Sequence, residues 1–84
     1  MDFSGDAWRR PDLWPYQQVA AVIAAAIRSG ELAPGQRLPA QQRLAQMAGV
    51  SKSTVQNALA ALKDEGLVYS VPDLGTFAAG REDG

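Results

Sequence analysis

The sequence GVSKSTVQNALAALKDEG, residues 49–66, constrains the fold more than any other part of the chain. Its apolar residues recur at the i, i+3, i+4, i+7 spacing of one buried helix face: Val55, Ala58, Leu59 and Leu62. Ser51 precedes this pattern and is a favourable N-cap, because its hydroxyl can accept a hydrogen bond from an N–H group of the first turn. Gly66 follows the pattern and stops it. We therefore predict a helix from Ser51 to about Glu65.

A second, shorter helix is predicted immediately before this one. Ala40 to Ala48 follows Pro39 and turns Leu44 and Met47 inward, and Gly49 closes the segment. Two helices joined by a turn of a few residues containing glycine form a helix-turn-helix. In that arrangement the second helix enters the DNA major groove with its N-terminal residues toward the base edges.

Further patterns flank this pair of helices. A helix begins at Pro15 and ends at Gly30, with apolar residues at helical spacing: Tyr16, Val19, Ala20, Ile23 and Ile27. The sequence GELAPGQRLP, residues 30–39, is typical of a connecting turn, with Leu32 and Leu38 available to fill the core. The runs LVYSV and TFAA surround turn-forming residues 72–75, which is the pattern of a β-hairpin.

The predicted chain is therefore mainly α with a small β-hairpin: three helices come first and the hairpin last. Residues 1–14 show no clean period and are expected to form an arm or an irregular segment, with Trp8 and Trp14 as candidates to dock on the core. Residues 15–79 form the folded domain, in which Tyr16 and Phe77 are expected in the core with the aliphatic residues. Residues 80–84 are expected to be a disordered tail.

Length and composition exclude several classes of protein. The 84 residues suffice for one small domain. The chain has no cysteine and no histidine, so it lacks disulfides, thiolate ligands and the commonest metal ligand and general base. No spacing suggests a catalytic pair, so we expect no enzyme activity, no cofactor and no metal. The apolar run from Val19 to Ile27 is far short of the roughly 20 residues of a membrane span, and no signal peptide is visible. A cytoplasmic location without a membrane partner is expected.

The charges are distributed unevenly along the chain, although the net charge is only −1. The segment from Leu32 to Lys63 has four basic and no acidic residues, which gives it a formal charge of +4. The rest of the chain has four basic and nine acidic residues and a formal charge of −5. The middle of the chain is thus the part suited to a polyanion.

The predicted helix from Ser51 has a polar face opposite its apolar stripe, formed by Lys52, Ser53, Gln56, Asn57 and the small Ala60. Hydroxyls and N-terminal N–H groups can hold phosphates, glutamine and asparagine can pair with adenine, and lysine can reach guanine or a phosphate. Any amphipathic helix has a polar face, so simple solvent exposure is the alternative explanation. The capping serine, the short turn, the charge asymmetry and the hairpin together favour DNA binding.

Tyr16 is followed, in order and spacing, by RSGELAPGQRLP, RLA, GVSKSTV, AL, L, EGLV and GTF. This combination, from Tyr16 to about Ala79, resembles the N-terminal winged helix-turn-helix domain of GntR-family transcriptional regulators. The resemblance implies a three-helix core plus a wing formed by the hairpin. It also implies a bacterial, sequence-specific DNA-binding regulator, usually a repressor that acts as a dimer on a palindromic operator.

Twelve residues are the candidates for contact with double-stranded DNA: Arg37, Gln41, Gln42, Arg43, Ser51, Lys52, Ser53, Thr54, Gln56, Asn57, Gly75 and Thr76. Three of them depart from the family pattern, in which arginine is usual: Gln42, Lys52 and Gln56. Because arginine favours guanine, we predict an operator richer in A·T than is usual in the family. Lys63 and Arg28 are further candidate cations, and with so few contacts one copy is expected to bind with modest affinity.

The wing and the N-terminal segment depart further. The residues at the wing tip, Ser70 to Leu74, replace the usual glycine and basic residues, and Asp73 would repel phosphate, so little binding is expected from the wing. Leu74 is expected to be a rim contact or part of a protein interface. Arg9 and Arg10 are either a minor-groove arm or, as the favoured alternative, solvated charges beside a packed tryptophan.

GntR-family regulators normally continue into a large effector-binding and dimerising domain, and this sequence ends at Gly84. It is therefore expected to be either a freestanding small regulator or an excised domain, with no effector site. A second function is open: a winged-helix protein-interaction module whose DNA binding is weak or absent.

Overall fold

The computed structural model describes residues 1–79, and the predicted tail over residues 80–84 lies outside them. The chain forms three helices followed by a two-stranded antiparallel sheet: α1 (Pro15–Ser29), α2 (Gln41–Ala48), α3 (Lys52–Asp64), β1 (Val68–Val71) and β2 (Gly75–Ala78). The order of elements and the helix positions predicted from the sequence are confirmed. No helix in this part of the chain is long and apolar enough to cross a membrane.

Local signals in the sequence set the helix ends. Pro15 is the first residue of α1, where its missing N–H group costs no hydrogen bond. Gly49 ends α2 in the left-handed conformation, with φ of 68°, and its N–H group donates to the Ala45 carbonyl. A side chain at that position would be strained, so this glycine allows the chain to turn at once toward α3.

The core lies mainly between α1 and α3, and α2 also packs against α3. The largest fully buried side chains are Val19 and Ile23 of α1, Leu44 of α2, and Val55 and Leu62 of α3. Complete burial of one such side chain stabilises the fold by about 1.5–3 kcal/mol. Because the predicted stripe of α3 faces inward, the helix must turn its polar side to solvent.

Leu32 and Leu38 of the connector between α1 and α2 are buried, as predicted. Tyr16 and Phe77 are only half-buried, so the prediction that they belong to the interior is wrong. Tyr16 packs at the edge of the core, and Phe77 stacks on Tyr69 with ring centroids 5.6 Å apart.

The hairpin pairs Val68 with Ala78 and Val71 with Gly75, and Pro72 to Leu74 form its turn. The Leu74 N–H donates to the Val71 carbonyl over 3.1 Å. Asp73 occupies the left-handed region, with φ of 67°. Proline at the second position and a positive φ at the third are typical of a type II turn, and aspartate tolerates that conformation better than most residues.

A third extended segment, which was not predicted from the sequence, joins the hairpin. Arg37, in the connector between α1 and α2, forms an antiparallel bridge with Phe77 of β2. The Leu38 N–H donates to the Thr76 carbonyl, and the Ala78 N–H donates to the Gln36 carbonyl, each over 2.8 Å. The connector and the wing are therefore one hydrogen-bonded unit.

The N-terminal segment packs against the domain through aromatic side chains. Phe3 is buried, and the Trp8 ring meets it edge-on with centroids 5.1 Å apart, while Trp8 Nε1 donates to the Phe3 carbonyl over 2.9 Å. Docking of Trp8 on the core is therefore confirmed. Trp14 is 70% exposed, so its predicted docking is wrong. It is the N-cap residue of α1 and is not part of the buried core.

The two arginines of this segment are engaged locally. The Arg9 guanidinium lies 4.6 Å from the Trp8 ring centroid and 3.6 Å from the Asp6 carboxylate. Arg10 forms an ion pair of 3.0 Å with Asp12, and the hydrogen bond from Arg10 lowers the pKa of that carboxyl below its ordinary value. These contacts favour the interpretation of both arginines as surface charges beside a packed tryptophan.

Candidate nucleic-acid interface

Helix α3 presents a polar face that no other part of residues 1–79 covers. Lys52, Ser53, Gln56, Asn57 and Ala60 are all exposed on it. The opposite stripe is fully or almost fully buried: Val55, Ala58, Leu59 and Leu62. The burial of one side holds the helix in place while the other remains accessible.

The start of α3 is held by its own side chains. Ser51 Oγ accepts from the Thr54 N–H over 3.2 Å and lies 3.0 Å from Thr54 Oγ1. Ser51 therefore caps the helix as predicted, and Thr54 is half-buried beside it. The N–H groups of the first turn give this end of the helix a partial positive charge, which suits a phosphate.

Gln56 is oriented by a contact with the preceding helix. Its Nε2 donates to Gln41 Oε1 over 3.2 Å. This bond uses one N–H of the Gln56 amide and leaves its carbonyl oxygen and second N–H for another partner. The pair thus links α2 to the exposed face of α3 and restricts the direction in which the Gln56 amide points.

A concavity of about 340 Å³ lies between the start of α2, the start of α3 and the wing. Six of the twelve candidate residues line it: Arg37, Gln41, Gln42, Lys52, Gly75 and Thr76. These residues are up to 39 positions apart in the sequence and meet only because the connector pairs with β2. Two cationic side chains and two amides at one concave surface can receive the sugar–phosphate backbone.

Arg37 lies against the backbone of the wing. A Cβ atom placed on Gly75 would be 3.0 Å from Arg37 Nε, which is too close for an ordinary contact. Gly75 also has φ of 119°, a conformation that residues with side chains rarely adopt. The glycine therefore leaves space beside β2 for the guanidinium of Arg37, which lines the concavity.

Not all candidate cations belong to this surface. Arg43 is exposed on α2 but does not line the concavity. Lys63 is eleven residues from Lys52 along α3, or about 16 Å at the helical rise. Arg28 lies 3.8 Å from Glu65, at the opposite end of α1 from Trp14. Within residues 1–79 Arg37, Arg43 and Lys52 form no ion pair, so their charges are available to a ligand.

A second concavity, of about 290 Å³, adjoins the other side of the α3 face. Thr54 and Asn57 line it together with Trp14, Pro15 and Tyr16 from the start of α1. From the sequence, Trp14 is expected in an arm or irregular segment, and no pattern there indicates its proximity to α3. Trp14 precedes the first helical residue, Pro15, so the apolar spacing of α1 does not indicate which element Trp14 lies against.

Three helices with a hairpin that follows the second helix of a helix-turn-helix define the winged helix-turn-helix class. A scan against family models matches residues 15–78 to the family described as bacterial regulatory proteins, gntR family. The chain belongs to this family, whose members are regulators and not enzymes.

Among curated proteins, the chain is 38% identical over 64 residues to the transcriptional repressor NagR of Bacillus subtilis, covering 76% of this chain and 26% of that protein. It is also 38% identical over 64 residues to the histidine utilization repressor of Klebsiella aerogenes, covering 76% of this chain and 27% of that protein. This chain thus spans about a quarter of the length of these relatives.

Among solved structures, the DNA-binding domain of AraR in complex with an operator superimposes with a TM-score of 0.79 at 37% identity. The match covers 94% of this chain and 95% of that one. YtrA of Sulfolobus acidocaldarius, a GntR-family transcription factor, matches with a TM-score of 0.79 at 31% identity, covering 96% of this chain and 84% of that one.

Proposed function

We propose that residues 15–79 are a sequence-specific double-stranded DNA-binding domain of a transcriptional regulator, with α3 in the major groove. One observation supports this most: the exposed polar face of α3 lies beside a cation-lined concavity and is backed by a fully buried stripe. The likeness to the AraR domain, whose structure was determined with an operator, supports the same function.

The residues of the interface divide into two roles in this proposal. Gln56 and Asn57 are the base-reading side chains, because their amides can pair in two ways with adenine. Arg37, Lys52 and Arg43 contact phosphates and set the position of α3 in the groove. Ser51 and Thr54 form the capped start of the helix, and Ser53 adds a hydroxyl near the backbone. Gln41 and Gln42 line the α2 side, and Gly75 and Thr76 the wing side.

The regulator is further proposed to be a repressor that binds as two copies to a palindromic operator in the bacterial cytoplasm. The two curated relatives described above are named repressors, which supports the direction of control. A palindrome suits two copies because each half-site then presents the same bases to an identical α3.

Selection of binding sequences from a random duplex library tests the proposed readout. Gln56 reads bases in this proposal and stands, like Gln42 and Lys52, where arginine is usual in the family, so the selected sites are expected to be rich in A·T at the positions that Gln56 and Asn57 contact. A consensus made only of G·C pairs would contradict this assignment of the base-reading residues.

A protein-interaction module is the second candidate, and the wing favours it. Leu74 is 57% exposed and Tyr69 43% exposed there, so the wing presents two large apolar side chains that a partner protein can contact. Duplex binding measured by fluorescence anisotropy at several salt concentrations separates the two candidates. For DNA binding, the logarithm of the association constant falls with the logarithm of the salt concentration with a slope of about −0.9 per phosphate contact, hence about −2.7 for three cations. Affinity that is negligible at low salt would support the interaction module.

A further inference from the structure

Trp14 is the most exposed large apolar side chain among residues 1–79, and its position is well defined. The backbone N–H of Trp14 donates to Gln17 Oε1, and the Trp14 carbonyl accepts from the Gln18 backbone N–H, each over 3.0 Å. Gln18 Nε2 in turn donates to the Leu13 carbonyl over 2.9 Å. The backbone that carries the exposed indole is therefore hydrogen-bonded on both sides.

Trp14 lies beside the candidate interface. Trp14 lines the concavity of about 290 Å³ whose other wall is formed by Thr54 and Asn57 of α3. Thr54 and Asn57 are three residues apart and therefore share one side of the helix. The concavity is thus continuous with the α3 face and extends it toward the start of α1.

The lining of this concavity suits the DNA backbone. All five of its residues are uncharged, and Pro15 to Ser29 of α1 contain no acidic residue, so nothing in the lining repels a phosphate. One wall is aromatic and the other has a hydroxyl and an amide. A sugar–phosphate chain matches this alternation, because the deoxyribose ring is largely apolar and the phosphate oxygens accept hydrogen bonds.

We propose that Trp14 contacts the sugar–phosphate backbone at the edge of the major groove that α3 enters. Its ring covers a deoxyribose and its Nε1–H donates to a phosphate oxygen. The contact positions the domain on DNA without reading sequence and without neutralising charge. This proposal rests on the proposed function and assigns a role to a residue outside the helix-turn-helix.

Three variants test the contact with a mixed-sequence duplex and with a selected duplex in anisotropy titrations. Trp14→Ala is expected to weaken binding to both about five- to tenfold, a loss on the scale of one aromatic contact. The salt slope stays unchanged, because no cation is removed. Trp14→Phe keeps a ring and is expected to lose about half of the effect on a logarithmic scale. Leu13→Ala changes the neighbouring side chain outside the concavity and is expected to bind as the wild type does.

Tryptophan emission gives an independent measurement. In Trp8→Phe, Trp14 is the only tryptophan, and duplex DNA is expected to reduce its quenching by acrylamide. Because Trp8 is part of the packed N-terminal segment, thermal melting followed by circular dichroism checks that this variant remains folded. The same melt checks that Trp14→Ala, which removes an exposed side chain, keeps the wild-type stability.

The possible outcomes are distinguishable. If Trp14→Ala binds both duplexes with the affinity of the wild type, the Trp14 contact is overturned and the proposed function is left intact. If Leu13→Ala also loses affinity, the Trp14 contact is overturned, because the substitutions then act by changing the conformation of the segment before α1. Self-association of the free protein that depends on Trp14, seen by sedimentation, would assign the indole to a second copy instead. Failure of the wild type to bind any duplex would overturn the proposed function itself.

Discussion

At the scale of single residues, the polar side chains on α3 differ in whether a hydrogen bond to a neighbouring residue restrains them. Gln56 is tied to Gln41, whereas Lys52 and Asn57 have no side-chain hydrogen bond within residues 1–79. A restrained amide loses less conformational entropy when it pairs with a base. Gln56 is therefore better placed than its neighbours to discriminate between base pairs.

Gln56→Ala is expected to relax preference at one base pair, with a loss of discrimination of about 1–3 kcal/mol, because the bidentate amide is removed. Gln41→Ala is expected to give a smaller loss at the same base pair, since it only frees the Gln56 amide. Competition titrations with duplexes that differ at single positions measure both effects. A uniform loss across all positions in Gln56→Ala would assign the side chain to the backbone instead.

Lys52→Ala is expected to weaken binding equally on all sequences and to reduce the magnitude of the salt slope by about 0.9, as expected for one lost phosphate contact. Lys63→Ala is the matched control, because it removes the same charge from the same helix about 16 Å away. Its salt slope should stay near that of the wild type. Equal changes in the two variants would indicate a long-range effect of net charge.

At the scale of elements, the wing and the connector between α1 and α2 act together. β2 is hydrogen-bonded to β1 on one side and to the connector on the other, so Arg37 is placed by the same strand that provides Gly75 and Thr76. The surface they form depends on a β-type contact and not on the helices alone.

Gly75→Ala is expected to lower both stability and DNA affinity. The new Cβ meets the Arg37 guanidinium, and φ of 119° strains any side chain, so the free energy of unfolding should fall by about 1–3 kcal/mol. Gly35→Ala is the control: this glycine also has positive φ, 81°, but no atom lies within 4 Å of its Cβ position. It should lose stability in thermal melts while duplex affinity is kept. Unchanged affinity in Gly75→Ala would show that Arg37 does not contact DNA from this position.

Asp73 at the wing tip gives a test of the proximity between wing and phosphates. Asp73→Lys is expected to tighten duplex binding about two- to fivefold at low salt and to lose this advantage at high salt, as the ionic atmosphere screens the charge. Asp73→Asn, which keeps a residue tolerant of the left-handed conformation, should give a smaller gain. Asp64→Lys makes the same charge change at the far end of α3 and should have little effect. No difference between the position 73 and position 64 variants would indicate that the tip faces away from DNA.

Much of this architecture follows from local signals in the sequence. The glycines and Ser51 mark the helix ends, and the spacing from Val55 to Leu62 identifies which side of α3 is polar. The extended segment beside β2 was not predicted because two prolines and two glycines in residues 30–39 dominate its pattern, while the bridge joins residues about 40 positions apart. The place of Trp14 beside Asn57 likewise depends on how α1 crosses α3, which no local pattern encodes.

At the scale of the whole molecule, the dimensions suit a paired arrangement on DNA. The domain measures 34 × 28 × 20 Å along its principal axes. Half-sites one helical turn apart are separated by about 34–36 Å, which is close to the longest dimension of the domain. Neighbouring copies would then be close enough to interact.

A duplex with two selected half-sites in palindromic arrangement is expected to bind two copies more tightly than two isolated half-sites do. The second copy gains from contact with the first, and sites one turn apart keep both on one face of the helix. Anisotropy and sedimentation with half-sites displaced by five base pairs provide the control, because half a turn places the copies on opposite faces. Identical stepwise affinities in both arrangements would mean that the copies bind independently.

Pairing between residues 36–38 and β2 restricts how such a domain can change during evolution. Side chains alternate along an extended segment, with Leu38 in the interior and Arg37 outside, so one inserted residue would exchange the two. New binding preferences at this site must therefore arise by replacing residues at constant loop length, while insertions are better tolerated at the hairpin tip.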